Sequence, residues 1–347
     1  MSIKIYRIAI VGAASLAGKE LGDALSDSSF AASSFTLLDE DRATGQIASA
    51  GDEISFIQPI DANSFDAMDF VFFSGEAEVA SKYCKTARKA GAGTIDMTFA
   101  LEEEPGVFVR SPWVAAAQAH DAAAELDLET TAVVPAHPAA TILALITARA
   151  SQKFQVTSLS ATVLEPASQY GRAAMDELHQ QTVSLLSFQK LPRDLYDAQV
   201  AFNLLQTMGE EAKIRLAATQ SRIQAHFNTL MGGAPPLALQ LIHAPVFHGY
   251  VVSIFIELAE PTTTEAFELS LVGEHIDLLS RESEPPSNLS ATGQEEIMVT
   301  VEAADASKAE NTRFKLLVAA DNLKLAAIHA IACARELAQM RPLGKVQ

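Results

Sequence analysis

The chain has 347 residues, 49% apolar and 20% charged, a length that suits two domains each able to bury its own core. Its formal charge of −18 repels nucleic acid and anionic membrane surfaces, and disfavours phosphorylated ligands wherever no local cation offsets it. No export signal or membrane-length apolar run is visible, and the only cysteines, Cys84 and Cys333, sit in helix-like runs, so a cytoplasmic protein without disulfides is expected.

The apolar run 5–12 predicts a buried strand ending at Gly12, followed by a helix over 16–25. Further strands are expected at 35–39, 69–74 and 93–96, with a helix over 76–89 between the last two. This alternation predicts parallel βαβ units and a Rossmann-type dinucleotide-binding domain over 1–137. A β-branched strand then enters a turn at Pro135 and leaves into a helix over 140–148. Alternating strands at 154–164, 250–258, 297–302 and 314–319, with long helices at 171–187 and 210–227, predict a mostly antiparallel α+β domain over 138–323. Residues 281–293 read as an exposed loop, and the one-sided apolar helix 324–340 is expected to return to the first domain, adding 324–347 to it.

Between the first strand and helix stands Gly12-Ala-Ala-Ser-Leu-Ala-Gly18, where a glycine turn lets the backbone approach a pyrophosphate at a helix end. Gly12, Ser15, Leu16 and Gly18 are the candidate contacts, together with Ser74 at the end of the third strand. The second strand ends in Asp39, with Glu40 and Asp41 beside it. A carboxylate there holds the ribose 2′-hydroxyl of NAD and repels the 2′-phosphate of NADP. NAD is therefore favoured, while Arg42 keeps NADP open.

The run Val134-Pro-Ala-His-Pro-Ala-Ala-Thr-Ile142 resembles N-P-N-C-S-T-I of the aspartate-β-semialdehyde dehydrogenase family, whose cysteine attacks the aldehyde from a helix N-terminus. Matching Thr141-Ile142 puts that cysteine at Ala139. His243-Ala-Pro-Val-Phe-His-Gly-Tyr250 resembles R-V-P-V-x-x-G-H, which puts the carboxylate-binding arginine at His243 and the acid/base histidine at Tyr250. Val163-Leu-Glu-Pro-Ala-Ser-Gln-Tyr-Gly171 resembles T-Y-Q-A-V-S-G-A-G, with Glu165 in place of the glutamine. At D-N-S-S-A-F-R, the phosphate-binding arginine becomes Glu102, leaving Arg110 as a substitute cation and Trp113 near the substrate cleft. Glu210 and Lys213 resemble the pair in the helix E-E-x-K-M, one turn apart. Asp321-Asn322-Leu323 resembles the segment that brings Asn322 to the nicotinamide.

The resemblance spans nearly the whole chain and points in particular to the family's divergent USG-1-type paralogues. It implies NAD or NADP as cofactor, a homodimer built through the second domain, and a substrate-like pocket of Glu165, Glu210, Lys213 and His243. No metal site, nucleic acid or membrane partner is expected, and the small-molecule ligand is not specified. With nucleophile, acid/base and both arginines replaced, the expected protein is a catalytically inactive homologue. Two alternatives stay open: a working NAD(P)-dependent aspartate-semialdehyde dehydrogenase, and a nucleotide-binding regulatory module. His248 lies two residues from Tyr250 and would share its face on a continuous strand, as a substitute base.

Overall fold

The computed structural model describes residues 6–30, 32–40, 45–50, 53–118, 130–280 and 282–340. Asp41, Arg42 and Arg281 lie outside the described residues. Residues 6–112, 130–136 and 326–340 belong to one compact unit, and 113–118 with 137–325 to a second.

The first unit carries β1 (Tyr6–Val11), β2 (Ala32–Asp39), a hairpin of β3 (Ile47–Ala50) and β4 (Glu53–Phe56), β5 (Gln58–Pro59), β6 (Phe70–Phe73), β7 (Gly93–Asp96), β8 (Phe108–Arg110) and β9 (Ala132–Pro135). Seven of these strands form one parallel sheet in the order β5-β2-β1-β6-β7-β9-β8. Such a sheet must be covered on both faces, which is why its strands read as unbroken apolar runs. Ile8, Ile10, Phe70 and Phe72 pack on one side with Leu21 and Leu25 of α1 (Leu16–Asp27). Ala9, Val11, Val71 and Phe73 pack on the other with Val79, Ala80 and Cys84 of α2 (Ala77–Lys89).

The second unit contains α3 (Pro112–Ala117), α4 (Pro138–Ser151), α5 (Gly171–Leu186), α6 (Leu216–Met231) and α7 (Thr264–Leu271). Its sheet joins β10 (Val156–Glu165), β11 (Leu237–His243), β12 (Tyr250–Thr262), β13 (Ile276–Leu278), β14 (Ile297–Ala303) and β15 (Asn311–Ala320) in the order β11-β10-β12-β15-β14-β13. The three central pairings are antiparallel and the two outermost parallel, so the sheet is mixed. Along β12, Val252, Ile254 and Ile256 are buried while Ser253 and Phe255 face outward, the alternation of a half-buried strand. Residues 138–148 of α4 are all buried, which explains a helix apolar around its whole circumference. The final helix, α8 (Asn322–Met340), runs from the second unit into the first, where Ile331, Ala334 and Leu337 join the core beside Ile8.

Two expectations are corrected. The helix expected over 210–227 begins only at Leu216, because the preceding backbone is captured elsewhere: Glu211 N–H donates to Asp197 Oδ2 (3.0 Å) and Lys213 N–H to the Leu195 carbonyl (2.9 Å). β11, absent from the sequence reading, adds a parallel edge strand whose register sets Glu165 directly beside His243.

Candidate functional site

The glycine turn of the first unit is built by backbone approach. Gly12 has φ +85°, and a Cβ there would stand 2.3 Å from the Gly75 nitrogen; one on Gly18 would stand 2.3 Å from the Gly12 carbonyl oxygen. Ser15 keeps φ at −67° and serves as the N-cap of α1, its hydroxyl accepting from Gly18 N–H and donating to the Ser74 carbonyl, both at 2.9 Å. A side chain at this position thus fits without strain. The N–H groups of Leu16 and Ala17, first in the helix, have no acceptor among the described residues and are free to meet an anion. Asp39 Oδ2 accepts from Ala14 N–H at 2.9 Å, so this carboxylate also orders the turn. Ser74 directs its own hydroxyl inward, to the Val11 carbonyl at 3.0 Å.

In the second unit, α4 starts with Pro138, whose missing N–H costs nothing at that position. His137 caps it: the ring Nδ1 accepts from Ala139 N–H at 3.3 Å, and the His137 N–H donates to His226 Nδ1 at 2.9 Å. The Gln169 amide links the His137 ring (3.4 Å) to the Tyr250 phenol (2.8 Å). Ala139, His137 and Tyr250 are all fully buried, and burial pushes the Tyr250 phenol well above its ordinary range.

Beside this group lies the pair created by the β10–β11 register. Glu165 is fully buried at the end of β10, with one oxygen accepting from the Tyr170 phenol at 2.5 Å and Oε1 without a partner. Among the described residues no cation offsets it, and burial pushes its carboxyl up to about 7. His243 is equally buried with both ring nitrogens unpartnered, and its imidazole is pushed down to about 4 for the same reason. Asn322 is buried too: its Oδ1 accepts from Ser168 Oγ and Gly249 N–H, both at 3.1 Å, and its Nδ2 is unpartnered.

Other sequence candidates fall elsewhere. Glu210 and Lys213 are both exposed on turns rather than one helical turn apart, since helix geometry is not reached before Leu216. His248 precedes β12, and Gly249 at φ +85° breaks the alternation that would have placed it on the face of Tyr250. Arg110 is buried and paired with Glu336 rather than offered as a loose cation. Trp113 is buried and stacked on His275, with ring centroids 3.9 Å apart. Asp96 accepts from Thr98 N–H (2.9 Å), Thr98 Oγ1 (2.6 Å) and Leu101 N–H (2.9 Å), fixing the turn before Glu102. The sequence reading missed His137, Tyr170 and Tyr196; of these only His137, next to Pro at a helix start, carried a local signal.

The description "Semialdehyde dehydrogenase, NAD binding domain" matches residues 7–183, and "Semialdehyde dehydrogenase, dimerisation domain" matches residues 148–325. The chain belongs to the semialdehyde dehydrogenase family. Within that family it is 29% identical over 329 residues to a USG-1 protein homolog of Pseudomonas aeruginosa, covering 93% of this chain and 95% of that protein. It is 27% identical over 340 residues to the aspartate-semialdehyde dehydrogenase of Rickettsia bellii, covering 96% and 98%. Among solved structures, a probable aspartate-semialdehyde dehydrogenase from Pseudomonas aeruginosa superposes with a TM-score of 0.84 at 26% identity, covering 97% of this chain and 99% of that one. The fold is shared with the Candida albicans aspartate semialdehyde dehydrogenase with NADP, at a TM-score of 0.65 and 12% identity, covering 97% and 99%.

The buried pair sets opposite pH dependences for this family member. Glu165, raised in the fold, contributes stability that is full below its ordinary 4.5 and is lost as pH rises through about 7. His243, depressed in the fold, contributes stability present above 6.5 and lost as pH falls through about 4. Glu165→Gln is therefore expected to match the parent near pH 4 and to exceed it by ~3 kcal/mol at pH 8. Urea unfolding at a series of pH values measures this; a difference that stays flat with pH would contradict it.

Proposed function

We propose that this chain is a semialdehyde dehydrogenase family member that has lost aldehyde chemistry while keeping the family's nucleotide turn and dimerisation face. The observation that carries the reading is the start of α4, where the thiol position matched through Thr141-Ile142 is Ala139 and its N–H is capped by the His137 ring. A methyl group forms no thiohemiacetal. Neither cysteine replaces the missing thiol: Cys84 and Cys333 are buried, both thiols pushed up by burial, in the core of the first unit. The acid/base position is the Tyr250 phenol, engaged with Gln169 and far too weak an acid for proton transfer at neutral pH.

The turn around Gly12 and Gly18, with free N–H groups at Leu16 and Ala17, suits a pyrophosphate, and Asp39 at the end of β2 suits a ribose hydroxyl. A bound nicotinamide dinucleotide would supply a hydride acceptor. In this chain Ser15 and the start of α1 would hold its phosphates and Asp39 its ribose, with no thiol to generate a hydride donor. On this reading nucleotide binding is structural or regulatory, and NAD is preferred.

The outer face of the second sheet supports self-association. Phe255 is 42% exposed there, beside a shallow cavity of about 360 Å³ lined by Ser160, Thr162, Gln240 and Ser253. One layer of helices covers only one face of a sheet, and a second copy of the same face covers the other in a homodimer.

Purified protein is expected to give no phosphate-dependent NAD(P)H formation with aspartate semialdehyde; turnover above the host background that disappears in Tyr250→Phe would overturn the reading. Calorimetric titration is expected to give tighter binding of NAD than of NADP, and the reverse order would remove the role given to Asp39. Light scattering is expected to give about twice the 37.0 kDa chain mass, with Phe255→Glu shifting it toward the single chain. A single-chain mass for the parent at micromolar concentration would refute the dimer.

A further inference from the structure

Among the described residues, five buried side-chain polar atoms have no hydrogen-bond partner, and four of them belong to Glu165, His243 and Asn322. Buried polar atoms are nearly always paired, so such a concentration marks a place built to meet something polar. Glu165 and His243 are neighbours in register on parallel strands, hence on one face of the sheet. Around them stand three phenols. Tyr170 donates to Glu165 Oε2, the Tyr196 ring lies 5.0 Å from the His243 ring, and the Glu165 carboxylate is close enough to raise the phenols of Tyr170, Tyr196 and Tyr250.

The electrostatics of this group select a sign. Among the described residues, no Lys or Arg acts on Glu165. The imidazole of His243 is neutral at physiological pH, and the three phenols are neutral as well. An anion entering here would meet a buried carboxylate with no compensating charge, a costly arrangement. A cation would meet the free Oε1 of Glu165 and an acceptor nitrogen of His243 among neighbouring aromatic rings, groups that suit an ammonium.

We propose that the Glu165–His243 site, flanked by Tyr170, Tyr196 and Tyr250, binds a small organic ammonium that carries no carboxylate. The proposal rests on the reading that the site has left the family's chemistry, in which the arginine matched by His243 binds a carboxylate. The enclosure of both side chains keeps the ligand small. Binding of a cation draws Glu165 into its ionised form, so a proton is released on binding near neutral pH.

The test is thermal unfolding of the full chain at pH 7.5 with methylammonium chloride, sodium acetate, acetamide or sodium chloride at matched concentration. Methylammonium at about ten times its dissociation constant is expected to raise the midpoint by about 2 °C, with no shift from the other three. Glu165→Gln is expected to abolish that shift. Glu165→Asp, which keeps the charge but retracts it, is expected to weaken it at least fivefold and serves if the glutamine variant does not fold. Calorimetry at pH 6.5 in buffers of different ionisation enthalpy is expected to show proton release. A shift by acetate, a shift retained in Glu165→Gln, or no shift by methylammonium would each overturn the proposal. Turnover measured on the same samples separates the two readings: with neither turnover nor shift, only the ammonium site fails, whereas turnover defeats the loss of aldehyde chemistry whatever methylammonium does.

Discussion

Much of the second unit is organised around a costly arrangement, a carboxylate placed inside the protein without a cation. The parallel pairing of β10 and β11 forces it, because the register that buries Leu159, Ala161 and Val163 also carries Glu165 inward beside His243. The chain then turns sharply through a short 3-10 segment, Ala167–Tyr170, which returns the Tyr170 phenol to the carboxylate. Ala167 and Ser168 N–H donate to the Val246 and Phe247 carbonyls, fixing the loop before β12. Gly249 and Ser168 in turn donate to Asn322, which fixes the beginning of α8. Four separate chain segments thus take their positions from one strand end.

The helix N-terminus at α4 is capped from within the fold. Its peptide dipoles favour an anion, and here the His137 ring nitrogen takes that place, the ring contacting the Gln169 amide while its backbone N–H donates to His226. The side chains around it form a closed, hydrogen-bonded packing. Asp321 tells the same story at α8: it accepts from Leu323, Lys324 and Gly293 N–H, which gives a structural reason for keeping that residue whatever becomes of the chemistry.

The parallel sheet of the first unit was legible because two-sided burial leaves a plain mark, the unbroken apolar runs at β1 and β6. β12 was legible from strict alternation. β11 was not, although Leu237–His243 does alternate in part; it follows Gly232-Gly-Ala-Pro-Pro236, which reads as the end of structure rather than the approach to a strand. Missing that strand hid the pairing of two residues far apart in the chain, and with it the electrostatic character of the site. The turn at 209–215 misled for a different reason: its helix-like composition is overruled by hydrogen bonds that its N–H groups donate to Asp197 and the Leu195 carbonyl. Family resemblance pointed to Ala139, Glu165, His243 and Tyr250, but Tyr170 and Tyr196, which line their surroundings, carry no local mark because tertiary packing alone brings them there.

The two buried cysteines have a practical side. Cys84 lies within α2 and Cys333 within α8, both buried, and both thiols resist ionisation. To a maleimide or a spin-label reagent at neutral pH, the folded chain is therefore chemically silent. One thiol introduced at exposed Ser81 on α2 would carry the label alone, so a probe could be placed on the chain without first stripping out native sulfur.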